Sequence, residues 1–229
     1  MLKSQFTETY DIPEIGIDEA GRGPLWGPLT AAAVYWPPEH DWSAKHRELA
    51  PKIQDSKKIS PKKRETYAKE IKELASAYGV GSVMPNEIDN QGASWANQTA
   101  FRRAITALHE SEYEVGSKVR YLIDGILPLT DLKEGEEQEL VIDGDATYLS
   151  IAAASIVAKV EHDTWVTNWC KEHVAEAAKY DLLSCKGYGT ANHRDGIKKY
   201  GYTDLHRRLY LRKMFPDIVV KRLAIIEDA

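Results

Sequence analysis

Short apolar runs closed by acidic or turn-forming residues alternate along this chain with longer amphipathic stretches. Residues 15 to 18 and 29 to 35, "LTAAAVY", predict two strands joined by the Gly/Pro-rich turn "GRGPLWGP", a hairpin at the front of a sheet. "ISPKKRETYAKEIKELASAYG" predicts a helix. Ser60 can cap it, Pro61 suits its first turn, Tyr67, Ile71, Leu74, Ala75 and Tyr78 share one face, and Gly79 ends it. "VGSVMP" then reads as a strand and "SWANQTAFRRAITALHES" as a second helix, with Phe101, Ile105 and Leu108 on a common side. "KVRYLID" and "QELVID" read as short strands, the first closing on Asp124 and the second on Asp143. "YLSIAAASIVAKVEHDTWVTNWCKEH" predicts a long helix, whose Ala152, Ala153, Ala154 and Ser155 let its backbone approach a sheet closely. A further helix near "TANHRDGIKKYG" and a terminal segment rich in Arg and Leu complete the pattern. Strands interleaved with helices imply an α/β layer fold, a mixed sheet with helices on both faces. No internal repeat or low-complexity block interrupts it.

With 229 residues, 43% of them hydrophobic, the chain has enough apolar surface for one sizeable main domain. The opening "MLKSQFTETYDIPEIG" lacks the apolar run of a signal peptide, and no stretch of about 18 apolar residues occurs, so a cytoplasmic protein without a membrane partner is expected. Cys170 and Cys185 have no metal-type spacing and read as free thiols. The formal net charge of −5 argues against a protein that holds nucleic acid mainly through non-specific counterion release. Charge is unevenly distributed, however. Residues 131 to 145 are strongly acidic, whereas 186 to 213 carry Lys186, Arg194, Lys198, Lys199, Arg207, Arg208, Arg212 and Lys213 against Asp195 and Asp204. Those cations can present a positive face to a phosphate backbone, although on charge alone a solvated helix surface is the better account.

Four carboxylates stand where a solvated charge is not expected. Asp18 and Glu19 follow Ile15 and Ile17, Asp124 follows "YLI", and Asp145 lies between "VID" and the small-residue helix. Carboxylates that converge on one sheet edge repel, which raises their pKa values or demands a cation. An oxygen-only set suits Mg²⁺ or Mn²⁺, and its obvious chemistry is two-metal phosphodiester hydrolysis with ions about 4 Å apart. Taken singly, each of these residues is more simply a helix cap or turn former. The "DGD" at 143 to 145 leaves open which aspartate would belong to such a set.

"GIDEAGRGPLWGP" closely resembles the signature of type 2 ribonuclease H, the ribonuclease HII family. The likeness continues in order through "DSKKIS", "IDNQGASWANQTAFRRAI", "YLIDG", "GDATYLSIAAASIVAKVEHD", "GYGTANH" and "GYTDLHRR", from residue 14 to about 208. The resemblance implies a ribonuclease H-like fold over 14–180, an N-terminal extension over 1–13 and a C-terminal helical substrate-binding region over 181–229. It matches Asp18, Glu19, Asp124 and Asp145 to the four metal-binding carboxylates and leaves Asp143 outside them. It matches Gly21, Arg22 and Gly23 to the loop that recognises the ribose 2′-hydroxyl, and Tyr188 to the tyrosine that stacks on the sugar at the RNA–DNA junction. Two ions, Mg²⁺ or Mn²⁺, are the implied cofactors. The implied substrate is an RNA/DNA hybrid or a DNA duplex with embedded ribonucleotides, cut on the 5′ side of the ribonucleotide to leave 3′-hydroxyl and 5′-phosphate ends. Removal of misincorporated ribonucleotides and of RNA primers would follow. A monomer is expected. A sliding-clamp protein is a candidate partner, although "MFPDIVVKRLAIIEDA" carries no clamp-binding motif.

Alternation along a strand turns neighbours to opposite faces, so Glu19 would have to reach such a site through the bend before Gly21 or act by its backbone carbonyl. Several positions depart from the family pattern: Asp143 where Lys is frequent, His162 where Arg is frequent, Gly92 near an Ile or Leu position, and Leu209 where Ser is common. None removes an expected ligand. His193 and His206 are left outside the site, because a lone His more often makes a structural hydrogen bond. Lys57 and Lys58 can contact phosphate, although loop cations are usually just solvated, and Trp26 can support the turn. Two other functions compete. One is a hybrid-duplex binder without turnover, which the four intact carboxylates disfavour. The other is a type 3 ribonuclease H, which the resemblance gives a need for about four consecutive ribonucleotides and an extra N-terminal domain. "GRG" with "GYGT" fits type 2 better.

Overall fold

The structure, a computed structural model, describes residues 2–7, 12–111 and 116–219. The last residues of the terminal segment read for a clamp-binding motif, 220–229, lie outside the described residues. The apolar runs flanking the Gly/Pro-rich turn form β1 (Glu14–Ala20) and β2 (Leu29–Tyr35), paired antiparallel with Asp18 opposite Ala32. Three further strands complete a sheet in the order β3-β2-β1-β4-β5: β3 (Ala77–Val83), β4 (Val119–Asp124) and β5 (Glu136–Val141). β4 runs parallel to β1, and β5 parallel to β4, so the sheet is mixed as expected. β1 and β2 sit near its centre and are buried along almost their whole length, which explains runs of apolar residues rather than a clean alternation.

Among the described residues the α-helices include α1 (Ala44–Leu49), α2 (Pro61–Leu74), α3 (Pro85–Gln91), α4 (Ala93–His109), α5 (Leu149–Glu172), α6 (Val174–Lys179), α7 (Leu182–Cys185), α8 (Ala191–Tyr200) and α9 (Arg208–Met214). α2 begins at Pro61 as predicted but stops at Leu74, five residues before Gly79. Gly79 instead lies in β3, where a Cβ would stand 2.1 Å from the Ala104 carbonyl oxygen of α4; at Gly81 it would stand 2.5 Å from that of Ala100. Both glycines serve a close strand-to-helix approach, not a helix end. The single helix expected over 94 to 111 is preceded by α3, and Gly92, at φ +91°, makes the break between α3 and α4. α8 matches its prediction, capped by Thr190 and ended by Gly201 at φ +77°.

The chain divides into two compact units. The first comprises the chain up to Ala20, Thr30–Ser82 and Asn97–Glu161. In it α1, α2 and the small-residue start of α5 share a core with Ala20, Ala32 and Val34, while Gly79 and Gly81 meet α4 on the opposite face, giving helices on both sides of the sheet. On the α5 side the approach is just as close at Gly16 of β1, where a Cβ would lie 2.1 Å from the Ser150 carbonyl carbon of α5. The second unit comprises Gly21–Leu29, Val83–Ala96 and the described chain from His162 onward. Its core gathers Trp26, Val166, Cys170, Tyr180, Leu182, Ile197 and Leu211, with Trp26 set edge-on to Trp169 at 4.7 Å between ring centroids. Cys170 and Cys185 are buried free thiols. Among the described residues no helix is long and apolar enough to cross a membrane.

Candidate active site

The parallel register of β1 and β4 sets Ile17 beside Ile123, so the next residues, Asp18 and Asp124, are neighbours on one face at the carboxyl ends of adjacent strands. That face is the α5 face, because Gly16, two residues before Asp18, abuts Ser150 and Ile151. Asp18 is buried, and its Oδ1 accepts the Glu19 backbone N–H at 2.6 Å. Burial, followed by the charges of Glu19 and Asp124, holds the Asp18 carboxyl well above the usual range, with the Ser155 hydroxyl of α5 offsetting part of the rise. The same strand alternation carries Glu19 toward the other face, while its backbone N–H and its charge act on Asp18.

Asp124 is raised by burial, and its carboxylate takes the Gly144 N–H at 2.7 Å and a further hydrogen bond from the Asp145 backbone. The glycine is needed there: a Cβ at Gly144 would meet Ile151 Cδ1 at 2.6 Å and Asp124 Oδ1 at 3.1 Å. Asp145 sits in the short 3-10 turn Gly144–Ala146, and burial, then Asp124, then Asp55 raise its pKa. α5 starts only at Leu149, so Asp145 is not its cap. Asp143 adopts a left-handed conformation at φ +53° and is exposed, adding negative charge that raises both Asp124 and Asp145. The first unit therefore couples Asp18 to Asp124 and Asp124 to Asp145.

Lys57 is the cation that eases Asp124 and Asp145 downward. Its loop is built rather than loose: Asp55 caps the turn by accepting the Lys57 N–H, and buried Arg64 donates to the carbonyls of Ser56 and Ile59, each at 2.9 Å. Ser56 Oγ in turn lies 3.1 Å from Ser155 Oγ. The place of this lysine beside Asp124 and Asp145 depends on a fold-wide contact that its neighbours in sequence do not show.

Among the described residues no three or more His, Cys, Asp and Glu side chains form a ready-made metal cage. The donor set still fits a hard divalent cation. It is all oxygen, buried at Asp18 and half-buried at Glu19, Asp124 and Asp145, and mutually repelling, and Mg²⁺-type ions ordinarily use one or two carboxylates completed by water and substrate phosphate.

In the second unit Gly21 has φ +80°, and a Cβ there would meet the His162 ring at 2.5 Å and the Pro28 carbonyl at 2.8 Å. Arg22 and Gly23 are exposed. Arg207, fully buried, donates to three carbonyls of this turn: Gly21 at 2.7 Å, Gly27 at 2.9 Å and Arg22 at 3.1 Å. Tyr188 is 40% exposed, its ring 6.5 Å from that of His162. Its carbonyl accepts from Thr190 N–H at 2.8 Å and His193 Nδ1 at 2.9 Å. Because a carbonyl only accepts, His193 carries its proton on Nδ1; its Nε2 then accepts from His206 Nε2 at 3.1 Å, and His206 Nδ1 accepts the Thr203 N–H at 2.9 Å. Of the basic stretch, Arg207 is thus internal and Arg208 pairs with Asp89 at 2.9 Å. Neither is the solvated surface cation that the charge pattern suggested.

The sequence profile of the Ribonuclease HII family matches residues 15–214. A ribonuclease HII of Caldanaerobacter subterraneus subsp. tengcongensis is 39% identical over 199 residues, covering 87% of this chain and 74% of that protein. Among solved structures, ribonuclease H2 from Pyrococcus horikoshii OT3 superposes with a TM-score of 0.66 at 22% identity, covering 92% and 96% of the two chains. The Mn²⁺ complex of Bst-RNase HIII superposes at 0.53 with 19% identity, covering 82% and 70%. These two likenesses extend the mixed sheet and its helices to the ribonuclease H fold. With a family match running from the first strand through α9, and a relative 39% identical over 87% of this chain, the chain belongs to the ribonuclease HII family and is a nuclease of the ribonuclease H type.

Proposed function

We propose that this protein cuts the RNA strand of RNA/DNA hybrids and DNA duplexes on the 5′ side of single embedded ribonucleotides, by two-metal phosphodiester hydrolysis leaving 3′-hydroxyl and 5′-phosphate ends. The observation that carries the reading is the coupled set Asp18, Asp124 and Asp145 near the carboxyl ends of β1 and β4, each raised by burial and by its neighbours' charge. Asp18, Glu19, Asp124 and Asp145 would hold Mg²⁺ or Mn²⁺, Glu19 through its carbonyl or the bend after it. The bound cations would supply a water made nucleophilic at neutral pH and charge neutralisation at the leaving 3′ oxygen.

The chain's own residues do the rest. Gly144 N–H and the Asp145 backbone orient Asp124, Ser155 and Glu19 N–H orient Asp18, and Lys57 stands where a substrate phosphate would bring negative charge. Gly21, Arg22 and Gly23 would read the ribose 2′-hydroxyl through backbone groups, the one feature that separates RNA from DNA at a sugar. Tyr188, half-exposed and anchored by its carbonyl, would stack on the sugar at the junction. The N-terminal residues 1–13 would be an extension and the helical region from about 181 a substrate-binding element. A cytoplasmic monomer is consistent with this role.

An end-labelled DNA duplex with one ribonucleotide, incubated with Mg²⁺, Mn²⁺ or EDTA, tests the reading. Metal-dependent cleavage on the 5′ side, lost in Asp124→Asn, is expected. Cleavage only of long RNA/DNA hybrids would favour type 3 specificity, and binding without any cut would make the protein a silent hybrid binder.

A further inference from the structure

We propose that Arg207, assisted by Tyr210, is a positioning residue that sets ribose selectivity by fixing the backbone of the Gly21–Gly23 turn. The inference rests on the reading above that this turn senses the 2′-hydroxyl.

Burying a guanidinium costs free energy unless its donors are satisfied. Arg207 is 0% exposed, and desolvation pushes its pKa down to about 10. All three of its nitrogens donate to carbonyls within residues 21 to 27: Nη2 to Gly21, Nη1 to Arg22 and Nε to Gly27. The Tyr210 hydroxyl donates to the same Arg22 carbonyl at 3.0 Å, and the guanidinium lies 5.5 Å from the Tyr210 ring centroid. The Arg207 backbone is tied as well, its N–H donating to the Leu25 carbonyl at 2.8 Å. Asp89, the nearby acid, is engaged by Arg208. Arg207 therefore spends its charge on peptide dipoles of one turn.

The geometry has a directional consequence. No cis peptide occurs among the described residues, and in a trans peptide the C=O and the following N–H point opposite ways. Anchoring the carbonyls of Gly21 and Arg22 on the guanidinium turns the N–H groups of Arg22 and Gly23 away from it. Those are the backbone donors with which a glycine-flanked turn can meet a hydroxyl. A planar fork fixes the two peptide planes relative to each other, whereas a lysine ammonium is a point charge without that template.

The test measures binding, with Ca²⁺ replacing Mg²⁺ or Mn²⁺ to hold back cleavage, of two short duplexes that differ only in one 2′-hydroxyl. Wild type is expected to prefer the ribonucleotide-containing duplex. Arg207→Lys should cut that preference about tenfold, the effect of losing charged hydrogen bonds, while leaving affinity for the all-DNA duplex unchanged. Tyr210→Phe, a milder change that keeps the buried arginine, should cut it about threefold. Preference equal to wild type in Tyr210→Phe and in a folded Arg207→Lys overturns the proposal. So does a parallel loss on both duplexes, which marks general destabilisation rather than positioning. Should Arg207→Lys fail to fold, Tyr210→Phe decides alone. A wild type that binds both duplexes equally would instead sink the reading of the turn itself, and the proposal with it.

Discussion

Gly16→Ala probes the contact that lets β1 and α5 share the candidate site. A Cβ at this position would lie 2.1 Å from Ser150 C, 2.3 Å from Ile151 N and 2.4 Å from Ser150 O, all backbone atoms that no rotamer change can move. Carbon contacts rest near 3.5 Å, so β1 and α5 would have to part by about 1.4 Å. A gap of that size forfeits much of the packing between β1 and the Ala152–Ala158 stretch of α5. The cost is set at the upper end of overpacking, about 3 kcal/mol. It also draws Ser155 away from Asp18, so activity should fall further than stability alone requires. Urea unfolding followed by the fluorescence of the six tryptophans measures the first effect; the expected midpoint drop is roughly 1 M for a slope near 3 kcal/mol/M. Gly116→Ala, where an added Cβ meets nothing within 4 Å, should stay within about 0.5 kcal/mol of wild type. A Gly16→Ala protein that loses less than about 1 kcal/mol and cleaves normally would refute the packing argument.

Two further outcomes follow from the carboxylates. Because burial and then the charges of Glu19 and Asp124 raise Asp18, its contribution to stability is complete below its unfolded pKa and is lost as pH rises through its folded value. Metal-free protein in EDTA should therefore melt lower at pH 7 than at mildly acid pH, and Asp18→Asn should melt higher than wild type at pH 7; a lower melting temperature for Asp18→Asn would count against the buried charge. Lys57 eases Asp124 and Asp145 toward ionisation, so Lys57→Met should move the acid limb of the cleavage profile to higher pH, whereas an unchanged limb would remove Lys57 from the site.

Local chemistry accounts for what was legible in the chain itself. The hairpin around "GRGPLWGP", the two apolar runs ending near acidic residues, the small-residue helix and the Thr190-to-Gly201 helix all follow from near-neighbour signals: turn residues, apolar periodicity and caps. The family motifs added which carboxylates to watch, including Asp145 over Asp143. Contacts distant in sequence decided the rest. Gly79 reads as a helix end until α4 is seen pressing on it, since a glycine serves turns and close packing alike. Asp18 and Asp124 meet only through the parallel register of β1 and β4, and Lys57 reaches Asp124 and Asp145 only through a loop held by Arg64. Arg207 reads as one more cation in a basic tail, because nothing within a few residues of it tells that its partners lie at Gly21, Arg22 and Gly27. Whether a charged side chain is solvated or buried depends on which distant backbone groups can replace its water, and tertiary structure alone supplies those.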